Sequence, residues 1–507
     1  MEGTRESLLN QIMAWVTNEL EQEGASNTYW IYGLPGIGKT SLALSICERL
    51  YDQMHLAGAI FCRRDDPNLS DPGNILPTLI YKLAIIFPPF RRIVAHRVRN
   101  DPNLTPELMK YSLFLDFIRQ LPRPPNRSLV FVIDALDECG DSQSRLSTLK
   151  VLTDAAAYAP WLKIIIISRP EVDIQRFFGA PDLQHLRYDL ARDPEANADL
   201  RTFARREFDM VASEWHLPTP WPEESLFDAV TSRANGLFIF IKTVVLAIGR
   251  SKDPTESLNA TLRDSAGPGL TSLYSLYSSI LKSRIVHSNA EFRRMIGVLL
   301  TSAPYRPLCE ETIAELAGVK ANLVKMWVDS LSSLLYRDEG ANGGIRVRQS
   351  SISDFFFSDD CPYDYQINFR DANVQLGIAC LDTMVKQLRF NICELDDSRL
   401  ANADIEDLPS RIQRLISDTL QYSCLYWSNH LCFPPGDHDQ RVLVLEGMKK
   451  FLEGPYPLFW IEVMSIMGMV PTTAPSLRRV ISWVRVSTAP AYVLHPRRIL
   501  IYCRMPI

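Results

Sequence analysis

Residues 30–44, WIYGLPGIGKTSLAL, decide the fold. Gly33, four intervening residues and then Gly38-Lys39-Thr40 make the G-x-x-x-x-G-K-[ST] pattern. Before it lies an aromatic and β-branched run, TYWIY at 28–32; after it Leu42, Leu44, Ile46 and Leu50 recur as an apolar helical run. Each residue type has a physical reason. Gly33, Gly36 and Gly38 admit backbone angles that side chains forbid, so consecutive amide N–H groups can turn inward around an anion. A helix starting at Thr40 brings its positive dipole end to the same spot. Lys39 adds a mobile charge for the outer phosphates, and the Thr40 hydroxyl suits a Mg²⁺ ion. Gly33, Leu34, Pro35, Gly36, Ile37, Gly38, Lys39, Thr40 and Ser41 are therefore the expected nucleotide-binding loop.

The chain's 507 residues exceed what one hydrophobic core holds and imply three or four domains. An apolar content of 46% with 22% charged residues excludes extended disorder. A net charge of −5 provides no broad basic field, so no nucleic-acid partner is expected. The longest apolar run, Gly236 to Ile248, is interrupted by Lys242 and is too short for a bilayer, so no membrane span is expected. Glu2, Arg5 and Glu6 occupy the place of a signal-peptide core. Ten cysteines without a C-x-x-C pair read as reduced, mostly buried thiols, and a cytoplasmic location is expected.

Thr4 to Leu20 has helical spacing, with Leu8, Leu9, Ile12, Trp15 and Val16 on one side. AGAIFCR at 57–63 reads as a second strand. Helical patterns follow at Ile75 to Phe87 and Pro106 to Leu121, with Pro88-Pro89 as a break. LVFVIDALDE, Leu129 to Glu138, opens with five apolar residues, the mark of a strand buried on both faces of a parallel sheet. Asp134 ends that run at the rim where ligands bind, and a carboxylate there suits the Mg²⁺ that bridges phosphates. Asp137 and Glu138 follow, where a carboxylate can orient an attacking water; the alternative is an acidic turn that caps a helix.

LKIIII at 162–167 repeats the buried-strand pattern and runs into Ser168-Arg169-Pro170-Glu171, with Pro170 at the first position of a helix. Arg169 thereby shares a rim with Asp134, where its guanidinium can read a terminal phosphate; a plain ion pair with a neighbouring carboxylate is the alternative. A fifth strand is expected at Gln184 to Leu190. Strands alternating with helices give an α/β domain with a parallel sheet.

Downstream, Pro194 to Met210, Pro222 to Ala234 and Leu237 to Gly249 read as helices, and Gly-Pro-Gly at 267–269 as a linker. Helices then a GGIRVRQ strand between Tyr274 and Phe357 suit a helical domain with a β-wing. Val374 to Phe451 reads as helical, and Val470 to Ile507 as a peripheral helix with a Pro- and Arg-rich end. Cys424, His430, Cys432 and His438 fit no common zinc spacing, and Tyr422, Leu425 and Tyr426 favour a packed aromatic helix there.

GLPGIGKTS, FVIDALDEC, IIISRPE, RANGLFIF and YSCLYWSNHL, in this order, resemble the NACHT-type signalling NTPases of filamentous fungi, within the STAND class of P-loop proteins and related to heterokaryon incompatibility proteins. The resemblance covers about residues 3–475. It implies a P-loop sheet of order 5-1-4-3-2 followed by helical and winged-helix domains. The segments expected from it are an N-terminal helix with its adenine-side loop at 1–26, a nucleotide-binding domain at 27–192, a helical domain at 193–270, a winged-helix-like domain at 271–375 and a C-terminal helical region at 376–507.

It further implies a signalling switch that exchanges ADP for ATP, hydrolyses ATP slowly and forms homo-oligomers when ATP-bound. Carried over by position, Gly33 to Ser41 bind phosphates, Thr40 and Asp134 hold Mg²⁺, Asp137 and Glu138 serve hydrolysis, and Arg169 senses the γ-phosphate. Gly3-Thr4-Arg5-Glu6 matches the adenine-side loop. Gln349 stands where relatives carry a histidine before the Ser-Phe-x-Asp-Phe-like run. Effector and repeat domains found in relatives are expected to be absent from this chain. The alternatives are an AAA-like ATPase acting on nucleic acid and a scaffold that holds ADP without hydrolysis.

Overall fold

The computed structural model describes all residues except 1–2, 18–25, 101–111, 121–126, 250, 265–268, 286–289, 339–342, 398–399, 434–437 and 488–507. They divide into two compact units, one of 1–281 with 349–351, the other of 282–348 with 352–507.

In the first unit the order is α1 (Glu6–Thr17), β1 (Thr28–Tyr32), α2 (Lys39–Asp52), β2 (Leu56–Phe61), α3 (Ile75–Ile86), α4 (Pro88–Asn100), α5 (Ser112–Arg119), β3 (Leu129–Asp134), α6 (Ser142–Tyr158), β4 (Leu162–Ser168), α7 (Val172–Phe178) and β5 (Leu186–Asp189). All five strands run parallel in the order β2-β3-β4-β1-β5, the sheet order expected, read from the other edge. β3 and β4 lie inside and are buried at every position, which is what their unbroken apolar runs required. β2 and β5 are the edges, and Leu186 and Arg187 of β5 are exposed.

Alternation of side chains gives each face its own core. Trp30, Phe131, Ile133, Ile164 and Ile166 join a cluster with Leu79 of α3, Phe90 of α4, Phe114 of α5, Leu152 of α6 and Phe178 of α7. The intervening residues Ile31, Val130, Val132, Ile165 and Ile167 are buried on the other face, against which α2 packs. Lys163 shares that face: its ammonium donates to the Trp15 carbonyl at the end of α1 and lies 4.7 Å from the Trp15 ring. Burial lowers its pKa to about 8. One buried cation thus fastens the amino-terminal helix to the sheet.

Helices α8 (Ala196–Glu214), α9 (Glu224–Ala234), α10 (Phe238–Ile248), α11 (Pro254–Asp264) and α12 (Leu270–Arg284) follow. Asn235 (φ 44°) and Gly236 (φ 81°) turn the chain from α9 into α10, as the Asn-Gly pair predicts.

The second unit holds α13 (Ala290–Ser302), α14 (Glu310–Ala317), α15 (Ala321–Ser330), an antiparallel hairpin of β6 (Leu335–Arg337) and β7 (Ile345–Val347), then α16 (Ser350–Phe357), whose first two residues belong to the first unit. α17 (Phe369–Gln387), α18 (Leu408–Leu415), α19 (Asp418–His430), α20 (His438–Glu453), α21 (Tyr456–Ile466) and α22 (Thr473–Ser487) complete it. His430 is fully buried, and both ring nitrogens have partners: Nδ1 donates to Asn373 Oδ1 at 2.9 Å and Nε2 accepts from the Tyr422 hydroxyl at 2.8 Å. Burial drives its pKa down to about 3, so it packs as a neutral ring. Among the described residues no three His, Cys, Asp or Glu side chains group as metal ligands.

Three sequence expectations change, and a fourth is described only in part. Pro88-Pro89 ends α3 as expected but also opens α4, a helix the sequence reading did not place, because a missing N–H costs nothing in a first helical turn. The helix expected from Pro106 is described only from Ser112, residues 106–111 lying outside the described set. α7 begins at Val172 after Glu171, beyond Pro170. The acidic stretch Asp396 to Asp407 is mostly irregular, its short side chains competing with the backbone for hydrogen bonds. The Gly-Pro-Gly linker and the chain end beyond 487 lie largely outside the described residues. Among the described residues no helix is long and apolar enough to cross a membrane.

Candidate nucleotide site

The loop between β1 and α2 is shaped by its glycines, for two different reasons. Gly36 (φ 78°) and Gly38 (φ 93°) lie in the left-handed region, and Gly38 caps α2 in that conformation. Gly33 is not left-handed; a Cβ there would come within 3.0 Å of Ile37 and 3.1 Å of Leu190, so it is needed for space. Gly36 meets both demands, because a Cβ would fall 1.9 Å from Ile239 Cγ2. The Ile239 amide donates to the Gly36 carbonyl at 3.1 Å, which docks the start of α10 on the loop.

Lys39 Nζ donates to the Gly33 and Leu34 carbonyls, each at 2.9 Å. Burial lowers its pKa to about 8, opposed by Asp137, Asp134 and Glu138, while Arg169 adds to the lowering. Four groups from the ends of β3 and β4 therefore act on the lysine of the β1 loop, which is the convergence the sequence predicts.

Asp134 ends β3 and is 1% exposed. Burial lifts its pKa to about 6, although a hydrogen bond from Thr40 and the charge of Lys39 pull it down. Its Oδ1 is buried without a hydrogen-bond partner. A hydroxyl beside a carboxylate with an orphaned oxygen suits a hard divalent cation, which takes its remaining ligands from phosphate and water. Ala135 then takes a left-handed φ of 55°, and a tight turn over Leu136–Glu138 presents the next two carboxylates.

Asp137 turns toward β4: its Oδ1 accepts from the Arg169 amide at 2.8 Å and its Oδ2 lies 3.2 Å from Arg169 Nε. The ion pair that sequence leaves as the alternative for Arg169 is thus present, inside the cavity. Arg169 Nη2 also donates to Ser350 Oγ at 2.9 Å. Glu138 accepts the Arg64 amide at 3.3 Å.

These groups border a cavity of about 320 Å³. Pro35, Gly36, Gly38, Lys39, Thr40, Ser41, Asp137, Glu138 and Arg169 line it, whereas Gly33, Leu34, Ile37 and Asp134 do not border it. Its other wall lies downstream: Phe203 and Glu207 of α8, Phe238, Ile239 and Lys242 of α10, and Gln349 with Ser350. Phe203 and Phe238 form one rung between the helices, rings 5.3 Å apart, and Glu207 with Lys242 a second, 2.8 Å apart. Apart from Gln349, and Lys242 as a break in an apolar run, none of these residues carried a local signal; only the RANGLFIF run pointed to α10 as a whole. Arg5, in the expected adenine-side loop, reaches the same wall with its guanidinium 5.8 Å from the Phe238 ring. It is buried, paired with Asp193, and its amide donates to Asp199 at 2.9 Å.

Residues 3–169 match the family model described as Nephrocystin 3, N-terminal. The protein described as Vegetative incompatibility protein HET-E-1, from Podospora anserina, is 25% identical over 522 residues that cover 94% of this chain and 36% of its own. The chain thus spans about a third of that relative's length. Among solved structures, a STAND protein with a tetratricopeptide repeat sensor from Pyrococcus horikoshii is similar at 13% identity and a TM-score of 0.37, over 98% of this chain and 69% of that one. Cdc6p from Pyrobaculum aerophilum follows at 13% identity and a TM-score of 0.31, over 70% of this chain and 93% of that one. Its parallel sheet, its loop of three glycines and a lysine, its DALDEC strand end and its sequence relatives together support a NACHT-type P-loop NTPase of the STAND class.

Proposed function

We propose that this chain is an ATP-binding signalling switch that exchanges ADP for ATP, hydrolyses ATP slowly and assembles with copies of itself in the ATP state. One observation carries the reading: Lys39, Asp137, Glu138 and Arg169 line a single cavity, with Asp134 and Thr40 hydrogen-bonded at its wall. Phosphoryl transfer needs little from a protein beyond position and charge. The loop amides and Lys39 would cradle the phosphates, Thr40 and Asp134 would hold Mg²⁺, Glu138 would accept the proton of the attacking water, and Arg169 would read the γ-phosphate. A bound divalent ion would supply charge neutralisation to the phosphates.

Glu138→Gln keeps the shape and removes the base. Turnover measured by phosphate release is expected to fall at least about a hundredfold, with ATP affinity within about threefold of wild type. A Glu138→Gln chain that turns over normally would remove Glu138 from the chemistry.

Acid and base limits follow from two buried groups. Asp134 keeps its proton to about 6 rather than 3.8, so between those values the folded chain binds more protons than the unfolded one, and stability falls as pH rises through that window. Cation binding requires the ionised form, so affinity for Mg²⁺ with ADP is expected to climb toward about pH 6. Above about 8 Lys39 sheds its proton and affinity falls. Calorimetric titrations across this range on wild type and Asp134→Asn separate the protein's titration from the nucleotide's own. An acid limb identical in both would contradict the assignment.

A further inference from the structure

Both acidic residues of the turn after β3 border the cavity, yet their surroundings differ. Asp137 has its side chain 2% exposed, and Arg169 engages both of its oxygens, one through the backbone amide at 2.8 Å and the other through Nε at 3.2 Å. The Glu138 carboxylate is turned elsewhere; its Oε2 meets a backbone amide of the segment after β2, at 3.3 Å. A carboxylate that holds a main-chain N–H and a guanidinium of the same residue fixes that residue's backbone and its χ angles together. The Ser168–Arg169 corner is also held from beneath: Trp30 Nε1 donates to Ser168 Oγ at 3.0 Å, and the Ser168 carbonyl accepts the amide of Gly33, the first loop residue, at 3.3 Å. Position along the chain therefore runs from the phosphate loop through β4 to Arg169, and Asp137 is the side chain that completes it.

Charge gives Asp137 a second task. Two cations, Lys39 and Arg169, must converge on one set of phosphates, and each disfavours the other. Of the three carboxylates that offset this at Lys39, Asp137 acts most strongly. Arg169 consequently has a partner that lets it stand near Lys39.

From this geometry we propose that Asp137 is a positioning residue that aims Arg169 at the terminal phosphate, with proton transfer left to Glu138. The assignment rests on the nucleotide-switch reading and divides the labour of its two acidic residues. If Asp137 acts only through Arg169, removing it matters only while Arg169 is present.

The test is a double-mutant cycle on the full chain, read as the ratio of dissociation constants for ADP and a non-hydrolysable ATP analogue in Mg²⁺. Arg169→Ala is expected to change that ratio at least about tenfold by weakening the triphosphate. Asp137→Ala should do nearly the same, and the double variant should fall within about twofold of Arg169→Ala alone. Asp137→Asn retains an acceptor for the Arg169 amide and loses the charge, so it should recover part of the ratio; it also stands in if the alanine variant fails to fold. Losses that multiply in the double variant would overturn the assignment. So would an Asp137→Ala or Asp137→Asn chain with an unchanged ratio whose turnover falls as far as that of Glu138→Gln. A wild-type chain that binds neither nucleotide, or that is indifferent to Lys39→Ala, overturns the switch reading itself and this assignment with it.

Discussion

Replacing Lys39 with alanine is expected to weaken ATP and ADP alike by at least about a hundredfold, equivalent to about 2.7 kcal/mol. In the native loop Nζ is held by the Gly33 and Leu34 carbonyls, so the side chain's stem is already ordered where phosphates would arrive. With a pKa of about 8 it is charged at neutral pH despite its burial. Deletion takes away that charge and leaves Asp134, Asp137 and Glu138 facing an anion with Arg169 as their counterweight. The loop amides alone do not offset this. Titration calorimetry with each nucleotide in Mg²⁺ measures the loss, and the melting temperature without nucleotide reports whether the variant folds. Dissociation constants within about threefold of wild type would mean that the cavity is not a phosphate site.

Gly36→Ala is expected to have the second large effect, by a purely steric route. An alanine Cβ would sit 1.9 Å from Ile239 Cγ2, closer than any packed pair, and at a φ of 78°. Overpacking of this kind costs about 1–3 kcal/mol, and the left-handed conformation roughly 1–2 kcal/mol more. The cheapest relief is to lift the start of α10 from the loop, breaking the hydrogen bond from the Ile239 amide to the Gly36 carbonyl. A fall in melting temperature on the order of 10 °C is expected, with nucleotide affinity lost in parallel. Ile239→Ala in the same chain should recover part of the melting temperature by giving the new methyl room. A Gly36→Ala chain that melts like wild type would show that loop and helix do not touch in solution.

What the sequence revealed, and what it hid, follows from how far apart the interacting residues lie. β3 and β4 were legible because burial on both faces demands unbroken apolar runs, and short stretches such as LVFVI and LKIIII, rich in β-branched residues and too brief for a buried helix, suit a central strand. Asp134 and Arg169 were legible because each ends such a run, and strand ends share a rim. The order of the strands came from family resemblance, since nothing in β5, exposed at its start, says that it pairs with β1. Pro88-Pro89 showed where α3 ends but hid where α4 begins, because a proline that stops one helix also suits the first turn of the next. Phe203 and Glu207 gave no signal at all, and Lys242 showed only as a break in an apolar run. The two α8 residues look like ordinary positions on an amphipathic helix until folding sets α8 beside α10.

The contact between Ile239 and Gly36 has a practical corollary for anyone cutting this gene into pieces. A fragment that stops after β5 would keep the phosphate loop, the DALDEC turn and the Arg169 corner and lose the half of the clamp that the loop leans on. Its loop would meet water where it now meets a helix. Nucleotide binding is therefore expected to require the whole stretch through α10, although the phosphate loop and the DALDEC turn lie far upstream of it.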